Sequence, residues 1–228
     1  MNSAIDLSPL WISLETAVAT IAIVFVLGVV AAWWVERLSS EKAKILIDGI
    51  FTLPMVLPPT VAGFFLLVIF GNNRLVGRFF IDSFGVQIAF SWLATVLAAA
   101  VISFPLMYRS ARGALMQVDK GIMEAGRSLG MTEWRIFWRL HLPNAFPGII
   151  AGGLLAFARG LGEFGATAML AGNIAGKTRT LPLAVYSAVA AGDFDSAGVY
   201  VLIIVTICLA VVIGLNYYQH YMKKRMEE

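Results

Sequence analysis

Few side chains in this sequence could do bond chemistry, and those that could stand apart from one another. Arg159 and Glu163 are four residues apart inside an apolar run, a spacing that lets both reach one face of a helix. Ionisable groups in such runs are costly and face protein or water. Two readings follow: an ion pair that fixes helix packing, since pairing lowers the burial cost, or a pair that lines a polar pathway. The packing reading is preferred on sequence. His141 and His220 are distant from each other and flank apolar segments, with no carboxylate or cysteine at ligand spacing. Cys208 is the single cysteine, so this chain alone makes no disulfide framework or metal cluster. No nucleophile is paired in sequence with a base. The expectation is a protein without catalytic residues, metal or cofactor.

Residues 171–178, AGNIAGKT, mimic a phosphate-binding loop with alanine in place of its first glycine. Such a loop needs a strand before it and a helix N-terminus after it. Here an apolar run precedes it and Leu181-Pro182 follows, so nucleotide binding at this site is rejected. Gly152, Gly153, Gly160, Gly162 and Gly165, with alanines between, read as a surface for close helix packing.

The elements that hold these residues belong in a bilayer. Hydrophobic residues make up 59% and charged residues 14% of 228, with a mean hydropathy of +0.81. Soluble domains carry about a quarter charged residues. One helical crossing needs roughly 20 apolar residues, and the runs here are long and unbroken rather than alternating, which favours helices over a barrel. The expected class is all-α and polytopic, a single domain over 1–228, with about five crossings at about 11–35, 50–70, 88–108, 147–170 and 197–217. No Lys or Arg precedes the first run, and it is too long for a signal-peptide core, so it is read as a crossing.

Basic residues orient the segments. Arg37, Lys42, Lys44, Arg109, Arg112, Lys120, Arg127, Arg135, Arg139, Lys223, Lys224 and Arg225 fall in one set of loops, against Arg74, Arg78, Lys177 and Arg179 in the other. The excess places the first set in the cytoplasm, the N-terminus outside and the C-terminus inside. The net charge of +3 is then a topology signal, and nucleic acid is not expected as a partner. Between the last two crossings, a short helix over Leu181–Ala191 is expected at or dipping into the outer face.

The second segment contains Pro54, Pro58 and Pro59. Each proline in a helix interior costs about 3 kcal/mol, so a kink or break is expected near Leu57–Thr60. Broken backbone at membrane depth survives where it is buried in protein or lines a cavity, and interrupted helices mark the pathway in transporters. An ordinary proline kink is the alternative. Pro58, Pro59, Thr60, Glu163 and Thr167 are the candidate pathway residues.

The loop over 109–145 includes VDKGIMEAGRSLGMTEWRIFWRLHLPNAFPGI. Asp119 can cap a short helix with Ile122, Ala125, Gly126 and Leu129 on one face. Gly130 suits a left-handed turn at its end. Thr132 can cap a second helix carrying Trp134, Phe137, Trp138 and His141 along one side, which Pro143 should stop. Small residues on the first helix leave room for a partner's backbone. An ordered finger of this kind is a docking feature; the alternative is a hairpin lying on lipid headgroups.

This loop resembles the EAA loop of permease subunits of ATP-binding-cassette importers. That pattern is Glu-Ala-Ala, three residues, Gly, nine residues, Ile, one residue, Leu-Pro. The sequence supplies Glu124, Ala125, Gly126, Gly130, Leu140, Leu142 and Pro143, with Gly126 for the second Ala and Leu140 for Ile. LPMVLPPTVAGFFLLVIFG and ARGLGEFGATAMLAGNIAGKTRTLPLAVYSAVAAGDFDSA resemble the molybdate branch of the family, with sulfate permeases similar. The resemblance spans about residues 10–218.

It implies a type I (MetI-like) importer transmembrane domain in a bacterial inner membrane. It further implies a second copy of the chain as partner, two ATPase subunits gripping the loop, and a periplasmic molybdate-binding protein. Sulfate or tungstate is the alternative cargo. A self-contained secondary transporter would need more helices, usually as repeats, and would leave the loop pattern unexplained. An intramembrane enzyme lacks a catalytic set.

Overall fold

The structure, a computed structural model, describes residues 5–227, with side-chain surroundings for 5–218. The side chains of His220, Lys223, Lys224 and Arg225 lie outside those described. Pro9, tolerated in a first turn where N–H groups are unpaired anyway, opens α1 (Ser8–Glu36). The Ser40 hydroxyl caps α2 (Glu41–Val56) by accepting from Ala43 N–H. After Leu57 and Pro58, α3 (Pro59–Phe70) leaves at 110° to α2. The break falls where the prolines predict it.

The short helix α4 (Leu75–Phe84) ends on Gly85 at φ +67°, and α5 (Trp92–Met116) follows. The next elements are α6 (Lys120–Ser128), α7 (Glu133–Ile136), a wide π turn (Phe137–His141) and α8 (Leu142–Leu161). The chain closes with α9 (Gly165–Leu170), α10 (Leu181–Ala190) and α11 (Phe194–Glu227). No strand occurs among the described residues.

Four stretches are long and apolar enough to cross a membrane: α1, α5, the continuous Glu133–Leu161 and Phe194–Tyr218; the bent α2–α3 pair, counted as one broken span, brings the number to five. The fold class is therefore the one expected, with three corrections. The third crossing runs to Met116, so the first part of the assigned 109–145 loop is helix continuous with it. Pro143 does not stop a helix: Leu142 N–H donates to the Phe137 carbonyl, five residues back. That widened turn removes the usual crowding between a proline ring and the carbonyl four residues earlier. The fourth crossing, expected over 147–170, breaks after Leu161, and Gly165–Leu170 is a separate short helix.

The core lies where α1, α5 and α8 meet. Val24, Met107, Tyr108, Ile149 and Ala156 are buried together there. Small residues let the helices approach. A Cβ on Gly28 would come 2.6 Å from the Met107 side chain, one on Gly153 3.1 Å from the Phe25 ring, and one on Gly152 would collide with Ser110. Lipid-exposed helices cannot gain from burial against lipid, so close packing of this kind is what holds them. Gly162 does not belong to that surface: it is exposed and ends α8. On the opposite end, α10 is tied to α1 by Leu181 N–H donating to Ser13 Oγ at 2.7 Å, and α11 to the segment just before α1 by Tyr200 OH donating to the Asp6 carbonyl at 2.8 Å.

Candidate functional site: a helical finger and a double helix break

The finger is built by local turn chemistry. Asp119 Oδ1 accepts from Gly121 N–H at 2.8 Å and opens α6. Gly130, at φ +72°, ends it: Met131 N–H donates to the Gly126 carbonyl and Gly130 N–H to that of Arg127, the paired bonds of a Schellman cap. Thr132 Oγ1 then accepts from Arg135 N–H at 3.4 Å. Arg127 clasps Glu133 with both prongs of its guanidinium, Nε to Oε1 at 2.7 Å and Nη2 to Oε2 at 3.2 Å. That contact holds the Glu133 carboxyl below the usual range and raises Arg127. Both are exposed, so the clasp sets the angle of the finger more than its stability.

Gly126 packs inward. A Cβ there would come 2.8 Å from Leu140 Cδ1 and 3.2 Å from Ile136 Cγ1. Its smallness therefore serves the closure of the finger, where sequence had assigned it to an approaching partner. The outward surface is Ile122, Ala125 and Leu129, the last 81% exposed, with Trp134 and Trp138 beside them. Glu124 and Pro143 are exposed; Leu140 and Leu142 are half-buried. The base of the finger is pinned to the bundle. His141 Nε2 donates to the Leu115 carbonyl at 2.9 Å, and the Phe137 ring lies 5.0 Å from that of Trp33. A cavity of about 370 Å³ remains between finger and bundle, reaching Arg37, Met123 and Ile136.

The second region is the meeting of two helix breaks. The Pro58 carbonyl accepts from Val61 and Ala62 N–H groups and starts α3. Across from it, a Cβ on Gly165 would come 3.0 Å from Pro59 Cβ and 3.1 Å from Thr60 N, and one on Gly63 2.7 Å from Ala166 Cα. α3 and α9 thus touch backbone to backbone. Glu163, 2% exposed, supports the second break: its Oε1 accepts from Ala166 N–H at 2.8 Å, a carboxylate at a helix N-terminus.

Arg159 Nη1 stands 2.9 Å from Glu163 Oε2, near but not aligned for a hydrogen bond. Of the candidate pathway residues, Pro59 and Thr60 meet Gly165 directly, while Glu163 and Thr167 flank that contact along the chain and are buried; Pro58 and Thr60 are exposed. Sequence reading missed the break at 162–164. Its signal was present, an acid between Gly162 and Gly165 at the end of an apolar run.

The AGNIAGKT segment lies between α9 and α10. Its Ile174 N–H donates to Thr178 Oγ1, and Lys177, Thr178 and Arg179 N–H groups all turn to the Ile174 carbonyl. The Ile174, Lys177 and Thr178 amides are thereby engaged within the segment itself. Among the described residues no group of three or more His, Cys, Asp or Glu could hold a metal ion.

Known proteins give a consistent comparison. A family model described as "Binding-protein-dependent transport system inner membrane component" matches residues 9–228. The molybdenum transport system permease protein ModB of Escherichia coli (strain K12) is 45% identical over 208 residues, 90% of each chain. The sulfate transport system permease protein CysT of Synechocystis sp. is 33% identical over 220 residues, 96% of this chain and 76% of that protein. Among solved structures, a chain of the MetNI methionine ABC transporter in an inward-facing conformation superposes with a TM-score of 0.72 at 17% identity, over 93% of this chain and 94% of that one.

Proposed function

The chain belongs to the family of binding-protein-dependent transport system inner membrane components, and from that membership we propose that it is the permease subunit of an ATP-driven molybdate importer. The observation that carries the cargo is the 45% identity, over 90% of both chains, to a molybdenum transport permease. Two copies, related by a two-fold axis, enclose the pathway, since five crossings are few for an enclosed route. Each copy offers its finger, Glu124–Pro143, to one ATPase subunit. Leu129 at its turn and Trp134 and Trp138 nearer its base, apolar and exposed, support a protein partner over water. A periplasmic molybdate-binding protein delivers the anion to the opposite face, with the N-terminus outside and the C-terminus in the cytoplasm.

In this reading the double break is the gate region. Two interrupted helices meeting at Pro59–Thr60 and Gly165 supply backbone that can re-register without unfolding a complete span. The permease makes and breaks no covalent bond. ATP shifts the balance between two arrangements because the ATPases bind the finger differently in each. A sulfate permease is the second reading, supported by the 33% identical relative.

Uptake of radiolabelled molybdate by vesicles holding the complex, with sulfate as competitor, tests the cargo. The expected result is uptake that excess sulfate does not displace; displacement by equimolar sulfate selects the second reading. Replacing Gly130 by leucine tests the finger, because a Cβ at φ +72° costs roughly 1–2 kcal/mol. We expect membrane insertion to persist and ATPase co-purification to be lost; full uptake by Gly130→Leu would refute the docking role.

A further inference from the structure

At the finger end of the bundle, one guanidinium joins three helices. Arg112 Nε donates to Glu36 Oε1 at 2.6 Å, on the last residue of α1. Its Nη1 donates to Asp48 Oδ1 at 2.7 Å, in α2. The same oxygen accepts from Tyr108 OH at 3.0 Å. The side chains of Arg112, Glu36 and Asp48 are 22%, 26% and 25% exposed, neither buried from water nor fully solvated.

The helix held by this node has little else to hold it. No residue of α2 is fully buried. Its apolar contact with the bundle is Ile47 and Phe51, the latter edge-on to Phe104 and Tyr108. Its other side-chain hydrogen bonds stay within α2 and its cap. Among the described residues, Asp48 is the polar tie between α2 and the rest of the fold. Nine residues after Asp48, about 13 Å along a helix, comes Leu57 and the 110° bend.

The other end of the node leads to the finger. Trp33 lies one turn before Glu36, with its ring 5.0 Å from Phe137 and 6.4 Å from Trp134. The Arg37 guanidinium lies 4.2 Å over the same ring. A contiguous chain of contacts therefore runs from the finger through Trp33 and Glu36 to Arg112, then through Asp48 into α2 and on to the bend.

We infer that Arg112 is a positioning residue for transport: with Glu36 and Asp48 it makes α2 follow the finger, so that movement of the ATPase-docked end reaches the bend at Leu57–Pro58. The inference rests on the importer reading for its function, and on contacts alone for its geometry. Partly exposed ion pairs contribute little to folding, so loss of the tie is felt as slippage between finger and bend rather than as unfolding.

Contiguity by itself is not coupling, and two measurements test it. In the first, the complete complex is placed in liposomes with its ATPase and binding protein, and ATP hydrolysed per molybdate taken up is measured for wild type, Asp48→Asn, Arg112→Gln and Arg112→Lys. Asp48→Asn keeps the shape and an oxygen for Tyr108 but carries no charge, so the ion pair with Arg112 is lost. The expected outcome is intact assembly and basal hydrolysis, with the ratio rising about five- to tenfold in Asp48→Asn and Arg112→Gln, inside the roughly two- to thirtyfold span of known coupling effects. Arg112→Lys should recover part of it, and the double variant should be no worse than either single one. An unchanged ratio, or hydrolysis falling in step with assembly, overturns the inference.

The second measurement needs no transport. Spin labels at Leu46 in α2 and Met116 in α5, both exposed, are introduced after replacing Cys208, the one native cysteine. The distance distribution should be narrow in the otherwise native chain and broad in Asp48→Asn. An equally narrow distribution in Asp48→Asn sinks the tie. A narrow-to-broad change with no molybdate uptake by wild type would instead fault the importer reading and leave the tie standing.

Discussion

The two helix breaks that meet at Pro59 and Gly165 are made by opposite means. The first is made by removing a donor: Pro58 and Pro59 supply no N–H, and the chain around Leu57–Thr60 is half to fully exposed. The second is made by adding an acceptor: Glu163, buried, takes the Ala166 N–H, while Gly162 and Gly165 let the backbone turn. A break that costs no buried partner can be left open to its surroundings. One that rests on a buried carboxylate must be packed on all sides, and α3 packs it. The contrast suggests that the proline break bends while the glycine–glutamate break stays fixed as the surface it bends against.

That distinction can be attacked from either side. The largest effect is expected from Glu163→Ala, which strands the Ala166 N–H and leaves Arg159 without its partner. Thermal unfolding of the purified complex should show a loss of about 2 kcal/mol, in the range for an orphaned buried donor. Arg159 is 38% exposed on its side chain, so the loss should not reach that of a fully buried pair. A melting midpoint equal to wild type would remove the buried break from the stability of the fold.

Gly63→Ala comes next, at about 1 kcal/mol, because its Cβ meets Ala166 backbone rather than the end of a flexible side chain. The same measurement reads it, and a neutral result would mean that α3 and α9 part easily. Smallest in stability is Pro58→Ala, expected within about 0.5 kcal/mol for an exposed position, with its effect seen instead, under the proposed function, as reduced molybdate uptake by vesicles. Were Pro58→Ala to destabilise as much as Glu163→Ala, the two breaks would be equivalent and the contrast would fall.

What sequence revealed was what is local. Asp119, Gly130 and Thr132 each act on backbone groups within five residues of themselves, so the caps and turn of the finger are legible in the sequence alone. The proline break was legible for the same reason. Pro143 misled because the π turn that accommodates it has no residue signature of its own. Glu163 was seen as a partner for Arg159, correctly, but its second role as acceptor for the next helix depends on where α8 stops. The Arg112 node was invisible: its partners lie 76 and 64 residues away, and nothing in composition or spacing joins them. For the apolar spans, pattern sufficed because a bilayer asks only for length and hydrophobicity.

The wide turn at Phe137–His141 also sets an azimuth. A π turn is one residue of surplus within an otherwise α-helical run, and each residue advances a helix by about 100°. The direction in which the finger points around the axis of α8 is thus counted in whole residues. Deleting one residue between Phe137 and His141 would let the turn relax to α geometry and absorb the loss, whereas deleting one from the regular helix just after it would swing Leu129 and Trp134 about a quarter of the way round the axis.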